Sequence, residues 1–343
     1  RMDKSVESYL LEMELGAARS FENMTVFGLL RPKNGGPDYI TLKDAIAAGV
    51  FAVTEVSEGG SVPELMVENK GDAAVLLLDG EELRGAKQNR ILNTTILVAP
   101  KSRTKVPVSC VEHGRWSYQG RMFQESGNMM PREMRRGNVE KVSMSLVADG
   151  SFRSDQKEVW DHVAKLACDL EVPSRTGAMR DVFEAKGADL DGYLKSFEPV
   201  PGQKGILAFI DGRPAGMDFV SSEAAFGTLF PKLVKSYAMD AMQLAERRRK
   251  GRAPAAEAGK ALATPTEDGA REFLKRAGAA EEKKYESVGL GWAYRYAGPG
   301  IVGSALAFND KVVHMAFFSV DETEAAGDPG GMAGTRVRRS FRF

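Results

Sequence analysis

Eight side chains able to hold charge or make paired hydrogen bonds crowd residues 81–93 of one short stretch, DGEELRGAKQNRILNTTILV at 79–98. They are Glu81, Glu82, Arg84, Lys87, Gln88, Asn89, Arg90 and Asn93, set between the apolar run AVLLL (Ala74 to Leu78) and the run that ends at Val98. A plain hairpin needs only two to five turn residues. So many polar groups beside buried strands therefore read as a site, because rigid elements commonly position functional loops. Guanidinium forks at Arg84 and Arg90, with the ammonium of Lys87, suit phosphate or carboxylate ligands. In an extended strand Glu81 and Glu82 point to opposite faces. One of them is then free to act as a base, to bind a ribose hydroxyl or to hold a metal ion, while the other pairs with a cation. The competing reading is an internal ion-pair network that fastens a long loop and needs no ligand.

A second motif follows at residues 104–116, TKVPVSCVEHGRW. Alternation places Val106, Val108 and Cys110 on one face, so Cys110 reads as a buried strand thiol. The alternative is a reactive thiol, with His113 or Arg115 stabilising the thiolate if the chain folds back. Glu112 is a third candidate catalytic carboxylate, and with His113 and Glu81 or Glu82 it could hold a divalent ion. A mostly carboxylate set favours Mg or Mn over Zn. Arg115 joins the candidate anion-binding residues, and Trp116 and Tyr118 offer flat faces to a base or sugar. Residues 118–141, rich in Arg and Met and without clean period, read as a mobile lid or an exposed connector. The run ERRRKGR at 246–252 sits at a helix end without interleaved aromatics, a weak signal for nucleic acid. No GxxxxGK[ST] phosphate loop occurs.

LDGEELRGAKQNRILN, followed about fifteen residues later by PVSCVEHGRW, resembles a prokaryotic family, the ADP-ribosylglycohydrolase- and rhodanese-phosphatase-associated protein domain. The resemblance extends more loosely through VWDHVAKL and the GMDFVSS to YAMDA segment. It marks Glu81, Glu82, Gly85, Lys87, Gln88, Asn89, Arg90, Cys110, Glu112, Gly114, Arg115 and Trp116, without roles. By association alone it implies work near ADP-ribose, nucleotides or RNA ends. Three classes stay open: an enzyme acting on a small phosphorylated ligand, a non-catalytic module binding the same ligand, and an assembly protein or homo-oligomer.

The elements that must position these residues change character along the chain. Up to about residue 116, short apolar runs alternate with turn signals, which predicts strands in a sandwich or barrel. TLKDAIAAG, Thr41 to Gly49, reads as one short capped helix. AVLLL is apolar on both faces, as a strand covered on both sides must be. Beyond residue 140 the helical period takes over in DQKEVWDHVAKLACDL, with Val159, Val163, Leu166 and Leu170 on one face and Cys168 read as core filler. A second helix is expected over 182–197 and a third from Ser221 or Ser222 to Lys250, kinked or broken at Pro231. A further short helix near 270–277 precedes a strand in GWAYRYAG. Two similar hairpins, LAFIDGRPAGMDFVS and LAFNDKVVHMAFFS, turn at Asp211-Gly212 and Asn309-Asp310. His162 and His314 read as structural. The expected class is α+β: a β-sandwich over 2–140 carrying the polar motif, a lobe of hairpins and helices over 141–320 with a linker near 251–269, and a tail over 321–343. Equal numbers of Lys+Arg and Asp+Glu, 47 each, argue against a nucleic-acid or membrane coat. With no long apolar run or leader pattern, a cytoplasmic location is expected.

Overall fold

The structure, a computed structural model, describes residues 2–31, 36–57, 63–115, 120, 122–252 and 264–320. In chain order the first elements are α1 (Lys4–Leu11), β1 (Glu14–Leu15), β2 (Arg19–Phe21), β3 (Met24–Leu30), β4 (Tyr39–Thr41), α2 (Leu42–Ala47), β5 (Phe51–Glu55), β6 (Glu64–Asn69) and β7 (Ala74–Leu77). The motif region supplies β8 (Glu81–Gly85), β9 (Arg90–Leu92), β10 (Ile96–Val98), β11 (Ser102–Cys110) and β12 (Phe123–Met129). Then come α3 (Arg132–Asp149), α4 (Gln156–Asp169), α5 (Met179–Ala185), α6 (Gly187–Ser196), β13 (Gln203–Ile210), β14 (Arg213–Val220) and α7 (Glu223–Arg249). Last are α8 (Glu267–Gly278), β15 (Glu281–Glu286), β16 (Trp292–Gly298), β17 (Ile301–Phe308) and β18 (Lys311–Ser319). The class is α+β, as expected.

Three sheets form the frame. The largest runs β1-β3-β13-β14-β18-β17-β16-β15 with β2 added on β3, so strands from both sides of residue 140 share it. A six-stranded sheet, β12-β8-β9-β11-β6-β5, curls until its edges meet at the Thr54–Met122 bridge, a half-barrel. Between them lies the three-stranded sheet β10-β7-β4, whose β4–β7 pair is parallel. It explains the doubly apolar run: Leu76, Leu78 and Leu97 pack into the core under the large sheet, while Val75, Leu77, Ile96 and Val98 fill the half-barrel. The far face of the large sheet is covered by α1 and α8 through Phe209, Met217, Phe219 and Phe317. Each side therefore removes apolar area from water, the main driving force for this layering.

The two hairpins share more than sequence. Each turns through two residues of positive φ, Asp211 and Gly212 in one, Asn309 and Asp310 in the other, the type I′ geometry that matches strand twist. Each carries a register shift at the same place, between Ala208 and Phe209 and between Leu306 and Ala307. Aligning the turns makes Met217 equivalent to Met315 and Phe219 to Phe317. The β14–β18 pairing then centres on Asp218 opposite Ala316, which are equivalent positions. A local two-fold axis thus relates the hairpins, and β3 and β16 flank them on the outer sides.

Several local expectations need correction. Residues 79–98 are not a long connection: β8 and β9 are paired strands joined by Ala86–Asn89. The region from 118 onward contains β12 and the start of α3 rather than a lid; residues 116–119 and 121, with Trp116 and Tyr118, lie outside the described residues. Cys168 is exposed, because it sits on the solvent side of α4 while Val159, Val163 and Leu166 face inward. The helix expected over 182–197 is two, α5 and α6, meeting at Lys186. Ser222, not Ser221, caps α7 by accepting from Ala225 N. α7 continues through Pro231 unbroken, and the residue four back, where the proline ring presses, is Gly227. The N-terminal segment begins with a helix that the strand-like reading missed, capped by Asp3. Most of the expected linker and all of the tail also lie outside the described residues.

Candidate functional site

β8 sends consecutive carboxylates to opposite sides, as its pleat requires. Glu81 is fully buried and accepts from Lys232 Nζ on α7 at 2.7 Å and from Leu78 N at 2.6 Å. Glu125 on β12 pairs with the same ammonium. Glu81 is thereby committed to holding α7 against the half-barrel.

The 110–116 motif forms a clamp on the β8–β9 turn. Arg115 donates to Glu112 at 2.7 Å, to the Ala86 carbonyl at 2.9 Å and to Asn89 Oδ1 at 3.3 Å. Glu112 also accepts from Asn89 N and Thr176 Oγ1. Burial works to raise the Glu112 pKa, but Arg115 and the Asn89 N–H outweigh it and hold the carboxyl below its usual range. Arg90, fully buried, donates to Gln88 Oε1 at 3.0 Å and faces Cys110 across the β9–β11 pair. Burial pushes the Cys110 thiol up, and the nearby Arg90 only partly counters it. His113 lies edge-on to Trp160 at 4.4 Å, so the ring is turned to α4. Lys87 is half-buried and Arg84 is exposed. Among the described residues, no group of three or more His, Cys, Asp or Glu side chains could hold a metal ion.

Glu82 is different. It is fully buried, and neither carboxylate oxygen meets a donor at hydrogen-bond geometry among the described residues. It lies on the face of β8 opposite Glu81, facing Ser126 and Asn128 of β12, with Arg180 of α5 and Glu112 within electrostatic range. Burial pushes its pKa up to about 7; Ser126, Asn128 and Arg180 pull the other way, and Glu112 adds to the rise. β12 is irregular just there: its register against β8 slips between Glu125 and Met129, Gly127 has φ 78°, and Ser126 and Gly127 keep partial solvent contact. Bulges of this kind often re-aim side chains beside active sites. A carboxyl near neutrality can give or take a proton at working pH.

The family model for the ARG and Rhodanese-Phosphatase-superfamily-associated Protein domain, ARPP-1, matches residues 12–318. The chain belongs to the ARPP-1 family. No curated protein and no solved structure matches it. The ARPP-1 match spans all three sheets, so the motif residues and the partners that sequence reading missed lie in one family domain.

Those missed partners are long-range. Arg135 on α3 is fully buried and forks onto Asp218 at 2.9 and 2.6 Å, with Asp79 at 3.3 Å. Tyr237 donates to Asp218, His314 bridges Asp218 and Thr95, and Thr95 donates to Asp79. Burial alone would raise the Asp218 pKa, yet Arg135 outweighs it and holds the carboxyl far below its usual range. This knot ties the strand entering β8 to the large sheet and accounts for His314. His162 is half-buried beside Glu133 and Glu158. The basic cluster is neutralised locally: Arg247 meets Asp169, Arg248 meets Asp211, Arg249 meets Glu246 and Lys250 meets Glu171. No described helix is long and apolar enough to cross a membrane.

Proposed function

We propose that this ARPP-1 chain is a ligand-processing domain in which Glu82 transfers a proton to or from a small phosphorylated ligand of the nucleotide type, such as ADP-ribose. The observation that carries it is the isolation of Glu82. Glu81 and Glu112 are consumed by Lys232 and Arg115, whereas Glu82 is buried with no donor at hydrogen-bond geometry among the described residues, beneath an irregular, partly open strand that holds Ser126 and Asn128 nearby. Leaving a buried carboxyl unsatisfied costs stability, and that is a feature of residues placed for chemistry rather than for packing. Arg180, in the first turn of α5, partly exposed and paired with Glu184, is the cation available to meet a phosphate, with Ser126 and Asn128 as neutral donors. The ligand class follows the family's association with ARG and rhodanese-phosphatase proteins.

The test is incubation of the purified protein with ADP-ribose, its phosphorylated derivatives, NAD, ATP and short RNA ends, with and without Mg or Mn. Products are followed by chromatography and binding by thermal shift. Turnover abolished in Glu82→Gln with binding retained is the expected result. Turnover that survives Glu82→Gln overturns the assignment.

A second reading has its own observation. Glu81–Lys232–Glu125 and Glu112–Arg115–Asn89 are internal networks, so most of the motif fastens the half-barrel and leaves Glu82 as residual polarity. Strong destabilisation by Arg115→Ala, together with no saturable ligand, supports that reading.

A further inference from the structure

A cleft of about 480 Å³, sharing no lining residue with the Glu82 site, lies between α6, the last turns of α7 and the β2–β3 turn. Its size falls within the range of small-molecule sites. Tyr193 of α6 lines it and is only 3 % exposed, yet its hydroxyl makes no hydrogen bond to any described residue. The hydroxyl is not among the sealed side-chain atoms that lack a partner, so it keeps solvent contact and can take a hydrogen bond from a molecule in the cleft. The ring meets Phe21 edge-on at 5.0 Å, an approach allowed because Gly192 has no Cβ to strike that ring. Leu170 and Met242 supply apolar wall, and Glu22 and Asp189 supply carboxylates that take part in no ion pair among the described residues.

Carboxylates outnumber cations on the lining, with Glu22, Asp189 and Glu246 against Lys186 and Arg249. Burial first, then Glu22, Asp189 and Asp211, push the Tyr193 hydroxyl up to about 12, so it stays a neutral phenol at working pH. Of the cations on the lining, Arg249 is bound to Glu246 and cancels it, which leaves Lys186 against two unpaired carboxylates. Such a place repels phosphate. Metal ions of the Mg or Ca type prefer cages of six or more oxygens, which aromatic and aliphatic walls do not supply. An ammonium on a methylene chain fits each feature: the carboxylates balance its charge, the Tyr193 oxygen accepts a hydrogen bond from its N–H, the rings offer cation–π faces and Leu170 and Met242 cover the stem.

We infer that the α6–α7 cleft is a second binding site, for an aliphatic amine of the diamine or polyamine class. It is separate from Glu82 in both lining residues and charge. The experiment titrates the full chain calorimetrically with 1,4-diaminobutane and its triamine homologue. The neutral 1,4-butanediol and inorganic phosphate serve as comparison probes. Saturable binding of the amines but not of the diol is expected. It should weaken about tenfold in Asp189→Asn or Glu22→Gln, both exposed and so harmless to folding, and also in Tyr193→Phe, which keeps the ring. Glu82→Gln should leave it unchanged. Absence of saturable amine binding, or equal binding in the three cleft variants, overturns the proposal. So does preferential binding of phosphate, which would assign the cleft to Lys186 and Arg249.

Discussion

Glu82 gives the sharpest quantitative prediction. Its folded pKa is raised from 4.5 to about 7, so between those values the native chain keeps a proton that the unfolded chain has lost. Stability therefore falls as pH rises through that window and levels off above it. The displacement corresponds to roughly 3 kcal/mol at about 1.36 kcal/mol per unit, undiscounted because the group is fully buried. Glu82→Gln replaces the carboxyl with a neutral group of nearly the same shape and removes the dependence. Urea unfolding of both proteins at pH 5, 6, 7 and 8 measures it. The two should be similar at pH 5, and the variant should gain on the parent until the gap approaches 3 kcal/mol near pH 8. A stability difference that stays flat across this range would mean that Glu82 is ionised at its ordinary pKa, and both its isolation and its proton-transfer role would fall with it.

Lys232→Met leaves Glu81 and Glu125 buried without their cation and should cost about 3–5 kcal/mol in denaturant unfolding. Adding Glu81→Gln should return part of that loss. Asp218 behaves oppositely to Glu82: its folded pKa is depressed, so its contribution is present above about pH 4 and is lost as pH falls further. Asp218→Asn should accordingly lower stability at neutral pH and flatten the acid limb of the pH–stability curve. Gly205→Ala places a Cβ 2.3 Å from the Asp218 carbonyl oxygen and should destabilise by roughly 1–3 kcal/mol, read as a lowered melting temperature. A thiol reagent under native conditions should modify Cys168 quickly and Cys110 only on unfolding, giving one fast thiol per chain by mass spectrometry.

Much of the architecture was legible because it is written in short-range terms. The doubly apolar AVLLL run, the Thr41 cap, the 3.6-residue period of α4 and both positive-φ turns depend on neighbours within a few residues. The alternation that separates Glu81 from Glu82 is of the same kind. What failed was long-range. Nothing in LDGEELRGAKQNR indicates that Lys232, some 150 positions later, claims Glu81, or that Arg115 reaches back to clamp Ala86 and Asn89 rather than a ligand. Arg135 and Arg180 look like ordinary surface arginines on helices until the fold buries the first and brings the second near Glu82. Cys168 was misjudged because its hydrophobic neighbours suggested burial, whereas helical phase turned it to water.

The local two-fold of the hairpins has a consequence for how the chain selects one arrangement. Where the two copies agree, at Met217 and Met315 or Phe219 and Phe317, they are interchangeable core. They differ where the polar knot forms: Asp218 stands where the second copy has Ala316, and His314 stands where the first has Gly216. A Cβ at Gly216 would also approach Phe318 at 2.8 Å and the Tyr237 hydroxyl at 3.1 Å, so the smaller residue is needed on that side. Exchanging the hairpins during folding would present Ala316, not Asp218, to Arg135 and strand a buried guanidinium, a far larger penalty than any mismatch between apolar side chains. The knot thus works as a key that distinguishes two otherwise similar halves and commits each to its own place.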